Sequence, residues 1–99
     1  MKIIELRNNL MDKIIELTHF KEMCKDNCLA IKQTHDALPS DKNVPQLEKM
    51  RQDMNKLLYL QKEASHLISI LRMNFNDPTE IGFKPDLFEQ VEALKKAAL

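Results

Sequence analysis

Residues 3–38 read IIELRNNLMDKIIELTHFKEMCKDNCLAIKQTHDAL and contain neither proline nor glycine. Within this stretch an apolar residue recurs at every seventh position without a gap. The row consists of Ile3, Leu10, Leu17, Cys24, Ile31 and Leu38. A seven-residue repeat sustained over this length is typical of an α-helix that packs along one side against another helix. We therefore predict one long helix over residues 2–38.

A second row, four residues after each member of the first, is only partly apolar. It consists of Arg7, Ile14, Lys21, Cys28 and His35. Polar residues at such positions commonly fix the register and the choice of partner helix, at some loss of stability. We expect this to be the ordinary role of the three polar members.

The segment 39–44 reads PSDKNV and interrupts the pattern with turn-forming residues. Pro45 follows, and proline is favoured in the first turn of a helix. After Pro45, mostly apolar residues recur at alternating spacings of about four and three residues. This spacing predicts a helix over residues 45–75. The recurring residues are Leu47, Met50, Met54, Leu57, Gln61, Ala64, Ile68, Leu71 and Phe75. At 1.5 Å per residue this helix is about 45 Å long and nearly matches the first, which favours an antiparallel hairpin.

A third, shorter helix is predicted over residues 85–98, after a turn at 76–84. Acidic residues begin this segment and Lys95 and Lys96 end it, as the helix dipole favours. Its apolar face consists of Leu87, Val91, Leu94 and Ala98, with Phe88 beside them.

Both hairpin helices carry extra apolar residues near the open end of the hairpin. At this end the first helix begins and the second helix ends. They are Ile4, Leu6, Met11, Ile15 and Phe20, followed by Leu58, Tyr59, Leu60, Leu67, Ile70 and Met73. One partner helix cannot cover so wide a surface. We therefore predict a single all-α domain over residues 1–99, a long antiparallel helical hairpin with a shorter third helix packed at its open end, and dimerisation remains open.

Composition excludes several classes of function. The single glycine, Gly82, is incompatible with glycine-rich nucleotide-binding loops. Fifteen basic and fifteen acidic side chains balance to zero net charge, which argues against a nucleic-acid-binding protein. No apolar run exceeds four residues, the length of the run at 57–60, whereas a membrane span needs about 20. We expect a cytoplasmic protein without a secretory signal, because the first residues lack an apolar signal core and two cysteines are too few for a disulfide framework.

Cys24 and Cys28 lie one helical turn apart, a spacing that formally suits a metal or redox pair. His35 is about 10 Å further along the helix than Cys28 and so cannot complete a zinc site with them. Both cysteines also fall on the packing rows, where a reduced cysteine acts as a small apolar side chain. We expect buried, reduced thiols, with no metal, no cofactor and no catalytic histidine. An intermolecular disulfide remains open.

Arg7 and Lys21 provide an alternative hypothesis, because basic groups on a packing row can bind an anion. Glu5-Leu6-Arg7 followed by Asp12 and Ile14-Ile15 resembles the start of helical chorismate mutases. The resemblance covers about one third of the first helix and implies a ligand-binding role for Arg7 alone. A small helical enzyme or anion-binding protein is therefore the second candidate.

The first candidate is a non-enzymatic protein-interaction module that binds partner helices, as an adaptor, an assembly subunit or a small chaperone. A small domain buries a modest fraction of its surface, so contact with a partner or a second copy would add stability. The third helix is too short to reach the far half of the hairpin, and methionines are adaptable contact residues. The predicted partner-binding residues lie there: Met23, Cys24, Cys28, Ile31, Leu47, Met50 and Met54. No small-molecule substrate is favoured.

Overall fold

The computed structural model describes residues 2–39, 41–77 and 86–98 of the chain. These residues form three α-helices and, within them, no β-strand. The predicted all-α class is therefore confirmed.

The helices are α1 (Ile3–Ala37), α2 (Val44–Asn76) and α3 (Asp86–Ala97). Each bound lies one residue from its predicted position. Asn76, which we predicted to begin a turn, instead closes α2, where the N–H of Asp77 still donates to the carbonyl of Met73 at 3.1 Å. Most of the predicted 76–84 turn lies outside the described residues.

The connection between α1 and α2 is held by backbone and side-chain hydrogen bonds. At the end of α1 the N–H of Leu38 donates to the carbonyl of His35 at 3.4 Å, and Pro39 follows. Asn43 Nδ2 donates to the carbonyl oxygen of Pro39 at 3.0 Å. Asn43 also accepts the first helical hydrogen bond of α2. A proline at the start of α2 costs no hydrogen bond there, because the first N–H groups of a helix have no partner within it.

The helices α1 and α2 are antiparallel neighbours along their whole length. At one end the Arg7 guanidinium lies over the ring of Phe75, and towards the other Cys28 lies beside the backbone of Met54. The described chain extends 60 Å in its long direction and 18 and 17 Å across. It is thus an elongated hairpin, as the repeat pattern predicted.

The third helix, α3, lies against the open end of the hairpin and runs parallel to α1. Glu92 pairs with Lys13, and one turn further along both helices Lys95 pairs with Glu16. Three apolar residues of α3 are buried in the shared core: Leu87, Val91 and Leu94. The predicted packing of a shorter third helix at this end is confirmed.

One core joins the three helices. Its buried members are Leu6, Leu10, Ile14, Leu17, Phe20 and Cys24 of α1, Leu60, Ala64, Leu67, Ile68 and Leu71 of α2, and the three α3 residues. Of the extra apolar residues at the open end, Leu6, Phe20, Leu60 and Leu67 are buried. Others remain exposed, namely Ile4, Met11, Ile15, Leu58, Tyr59 and Met73. The 12-residue helix α3 covers only one side of the hairpin. It therefore buries some of these extra apolar residues and leaves the others exposed.

Among the residues that the structure describes, no helix combines the length and apolarity needed to cross a lipid bilayer.

Candidate partner-binding groove

The three-helix core stops partway along the hairpin. In α1 its last buried residue is Cys24, and in α2 its first is Leu60. Between these points and the connecting turn lies what we call the two-helix section, residues 25–37 of α1 and 44–57 of α2. Leu47 is the one described residue of this section that is buried. No described helix covers this section, so each helix here has a single neighbour.

A groove runs along the two-helix section, between α1 and α2. On the α1 side it is lined by Asn27, Ala30, Ile31 and Thr34, and on the α2 side by Pro45, Gln46, Lys49, Met50, Asp53, Lys56, Leu57 and Leu60. The part near the turn has a volume of about 600 Å³ and the part near α3 about 370 Å³. Both parts share Ala30, Ile31 and Asp53, so the groove is continuous.

The groove begins where α3 ends. Ala98, directly after α3, lines the groove together with Leu60, a residue of the three-helix core. The hairpin surface that α3 covers at the open end therefore continues into the groove. The groove thus lies on the same face of the hairpin as α3 and begins beyond the end of that helix.

The structure brings some of the predicted partner-binding residues to this groove. Ile31 and Met50 line it and are half-buried, so their apolar side chains form its floor. Cys28 and Met54 lie between the helices, with Cys28 Sγ 4.0 Å from the carbonyl oxygen of Met54. These two residues are half-buried but do not line the groove.

The other predicted residues do not reach it. Cys24 is fully buried and Leu47 is 4% exposed, so a partner could touch them only if the hairpin separated. Met23 is exposed, yet it lies outside the groove lining. Residues of a packing row face the neighbouring helix. Cys24 and Leu47 are therefore buried between α1 and α2 and are not available to a partner.

Sequence reasoning missed the rim of the groove. Ala30 and Thr34, one turn apart on α1, form its low edge, and Lys49 and Asp53, one turn apart on α2, form its charged edge. Lys49 Nζ donates to Asp53 Oδ1 at 2.9 Å. The four-residue spacing of opposite charges at 49 and 53 was a usable signal for a solvent-facing pair. Nothing in the sequence indicated on which side of the hairpin α3 would lie, and this side determines the rim.

A second groove lies between α1 and α3 at the open end, with a volume of about 650 Å³. Its walls carry Asp12, Lys13 and Glu16 from α1 and Glu89, Glu92 and Lys96 from α3. Lys13 and Lys95 each pair with both Glu16 and Glu92, at 3.0–3.5 Å. These pairs hold α3 against α1 and leave no charged group of the four without a partner.

The ion pairs shift the pKa values of all four groups. Hydrogen bonding to Glu92 raises the pKa of Lys13, and hydrogen bonding to Glu16 raises that of Lys95. Hydrogen bonding from Lys13 lowers the pKa of Glu92. For Glu16, partial burial acts in the opposite direction, but the hydrogen bonds from Lys95 and Lys13 outweigh it and lower its pKa. Each shift favours the charged form.

The two residues of the anion-binding hypothesis do not form one site. Arg7 and Lys21 both lie on α1, fourteen residues apart, which is about 21 Å along the helix axis. A single small anion cannot bridge that distance. The Arg7 guanidinium lies 4.6 Å from the centre of the Phe75 ring, a cation–π contact that links the two ends of the hairpin helices.

Both cysteines are free thiols. Burial raises the pKa of the Cys24 thiol, which keeps it in the unreactive protonated form. Within the described residues, no group of three or more His, Cys, Asp or Glu side chains is arranged to hold a metal ion.

Comparison of the chain with protein-family models, with curated proteins and with solved structures gives no match.

Proposed function

We propose that this chain is a non-enzymatic protein-interaction module that binds an amphipathic helix of a partner protein in the groove of its two-helix section. Adaptors, assembly subunits and small chaperones that hold a partner's helix work in this way. One observation carries the proposal: the hairpin surface that α3 covers at the open end continues, uncovered by any described helix, along the two-helix section.

The molecule supplies its own example of a suitable ligand. At the open end the surface binds α3, whose side chains Leu87, Val91 and Leu94 are 5%, 0% and 9% exposed. Apolar residues three and four positions apart form the stripe that such a surface takes. In the groove, Ile31, Met50 and Leu57 supply apolar side chains of the same kind. Methionine adapts its shape to different partner side chains.

The length of the groove sets the length of the ligand. Pro45 and Leu60, which line its two ends, are about 22 Å apart along α2. A helix of about 15 residues has this length. The first test therefore uses a synthetic peptide of that length, with an apolar stripe of leucines and with glutamine on both edges.

Binding of the fluorescently labelled glutamine peptide to the intact chain is measured by fluorescence anisotropy. We expect saturable binding that Ala30→Glu abolishes, because Ala30 lines the groove and its exposed position admits a larger side chain without disturbing the core. Leu29→Glu is the matched control. Leu29 is the neighbouring residue, is 55% exposed and does not line the groove. Circular dichroism checks that both variants keep their helix content.

Two results would overturn the proposal. One is the absence of peptide binding, or binding that survives Ala30→Glu. The other is a chain that forms a dimer in light scattering over a dilution series and that Ala30→Glu converts to a monomer. In that case a second copy covers the groove.

A further inference from the structure

We propose that the groove selects partner helices that carry acidic residues along the edge facing α2. This inference rests on the proposed function and adds the chemistry of the partner to it. The two walls of the groove differ in charge.

Among the described residues, every charged side chain that lines the groove comes from α2. Lys49, Asp53 and Lys56 lie on that wall, so it carries two positive charges and one negative charge. The Lys49–Asp53 pair is solvent-exposed, with side-chain exposures of 72% and 42%. Such exposed pairs contribute little stability and are easily exchanged for another partner. The α2 wall is therefore the one that can bind carboxylates from a ligand.

The α1 wall carries no charge. Its members are Asn27, Ala30, Ile31 and Thr34. The Thr34 hydroxyl donates to the carbonyl oxygen of Ala30 at 3.2 Å, so its hydrogen is already used within the helix. Short side chains on this wall allow a second helix to approach closely. The edge of a ligand that faces α1 thus needs no charge, whereas the edge that faces α2 meets an excess of lysine.

The docking of α3 uses charge in the same way, but on the other wall. At the open end the residues that pair with α3 are Lys13 and Glu16, both from α1. In the two-helix section the charged residues that line the groove lie on α2 instead. A ligand that resembles α3 in its apolar stripe alone would leave Lys49 and Lys56 without counter-charges from the ligand.

The test compares two variants of the glutamine peptide. One carries glutamate and the other lysine at the positions of one edge, with an unchanged apolar stripe. At low ionic strength we expect the glutamate peptide to bind about tenfold more tightly than the lysine peptide, because like charges along an edge oppose binding. The preference should weaken as salt is added.

A charge reversal in the protein locates the effect. Lys49→Glu with Lys56→Glu is expected to invert the preference for the glutamate peptide. The control is Lys25→Glu with Lys32→Glu, an equal change of charge at exposed positions of α1 outside the groove. This control should slightly lower the affinity for the glutamate peptide, slightly raise that for the lysine peptide, and keep their order.

The outcomes separate this inference from the proposed function. If the glutamine peptide binds while the glutamate and lysine peptides bind equally, or the lysine peptide binds more tightly, the inference is wrong and the proposed function stands. Preference for glutamate that persists unchanged in the Lys49→Glu, Lys56→Glu variant also overturns the inference. If no peptide of the three binds, the proposed function itself fails.

Discussion

Lys13 of α1 and Glu92 of α3 are 79 positions apart in the chain, and their Nζ and Oε1 atoms lie 3.0 Å apart in the fold. Glu16 and Lys95 complete a closed ring with them, in which each lysine contacts both glutamates. If α3 shifted by one turn along α1, Lys13 and Glu16 would no longer lie opposite Glu92 and Lys95. The ring therefore fixes the register of α3, while the apolar core supplies most of the energy that holds it.

Removing one charge from the ring should loosen α3 without unfolding the hairpin. We expect Glu92→Gln to speed amide hydrogen exchange in α3 and to leave exchange in the middle of α1 unchanged. In a double-mutant cycle, Lys13→Met and Glu92→Gln should show favourable coupling. The control is Lys49→Met, which removes an exposed pair within α2 and should not affect α3. Strictly additive effects of Lys13→Met and Glu92→Gln would contradict this account.

The same ring gives the protein a defined dependence on pH. The folded-state pKa values of Glu16 and Glu92 lie below 4.5, so their contribution is present above that pH and is lost as the pH falls through the lowered values. The pKa values of Lys13 and Lys95 lie above 10.5, so their contribution is present below that pH and is lost as the pH rises through the raised values.

We therefore expect the melting temperature to fall on acidification, and the difference between the wild type and Glu92→Gln to shrink below about pH 4.5. Thermal unfolding followed by circular dichroism, from about pH 7 to about pH 3, measures both quantities. A difference that stays constant across this range would show that Glu92 has no link to stability through its charge.

Leu17 lies in the centre of the core and is fully buried. Truncation of a buried leucine loses apolar burial and leaves a cavity, which typically costs about 2–5 kcal/mol. We expect Leu17→Ala to lower the free energy of unfolding by about that amount, measured by urea titration. Leu29→Ala, at a 55% exposed position of the same helix, should change it by less than about 0.5 kcal/mol. Equal losses in the two variants would contradict the described core.

The two cysteines should react at different rates with a thiol reagent. Cys24 is fully buried and its pKa is raised, whereas Cys28 is half-buried. We expect Cys28 to be labelled first in the native protein, and Cys24 to react only when the hairpin opens or denaturant is added. Cys24→Ser and Cys28→Ser identify the reacting residue. Fast labelling of Cys28→Ser in native buffer would place Cys24 outside the core.

The seven-residue row on α1 predicted the fold well because it records contact with one neighbouring helix. Leu10, Leu17 and Cys24, from the middle of that row, are fully buried. Ile3, from the same row, is 50% exposed and is the first residue of α1. The repeat identifies the buried face, whereas the ends of that face depend on the lengths of the neighbouring helices.

The groove could be predicted only in part. Ile31 and Met50 were found because they continue the packing rows into the half that α3 does not reach. Ala30, Lys49 and Lys56 could not be found in this way, because their place at the groove depends on which side of the hairpin α3 occupies. That choice results from contacts such as Lys13–Glu92, between residues far apart in the chain.

Because the three helices differ in length, the two ends of the hairpin differ in how tightly they are packed. Residues around Leu17 are enclosed by two other helices, whereas those around Thr34 have one neighbour and few buried apolar contacts. Local opening therefore costs least at the turn between α1 and α2 and most where α3 is docked. We therefore expect the hairpin to open first at its turn, and a ligand helix bound along the groove would stabilise that end.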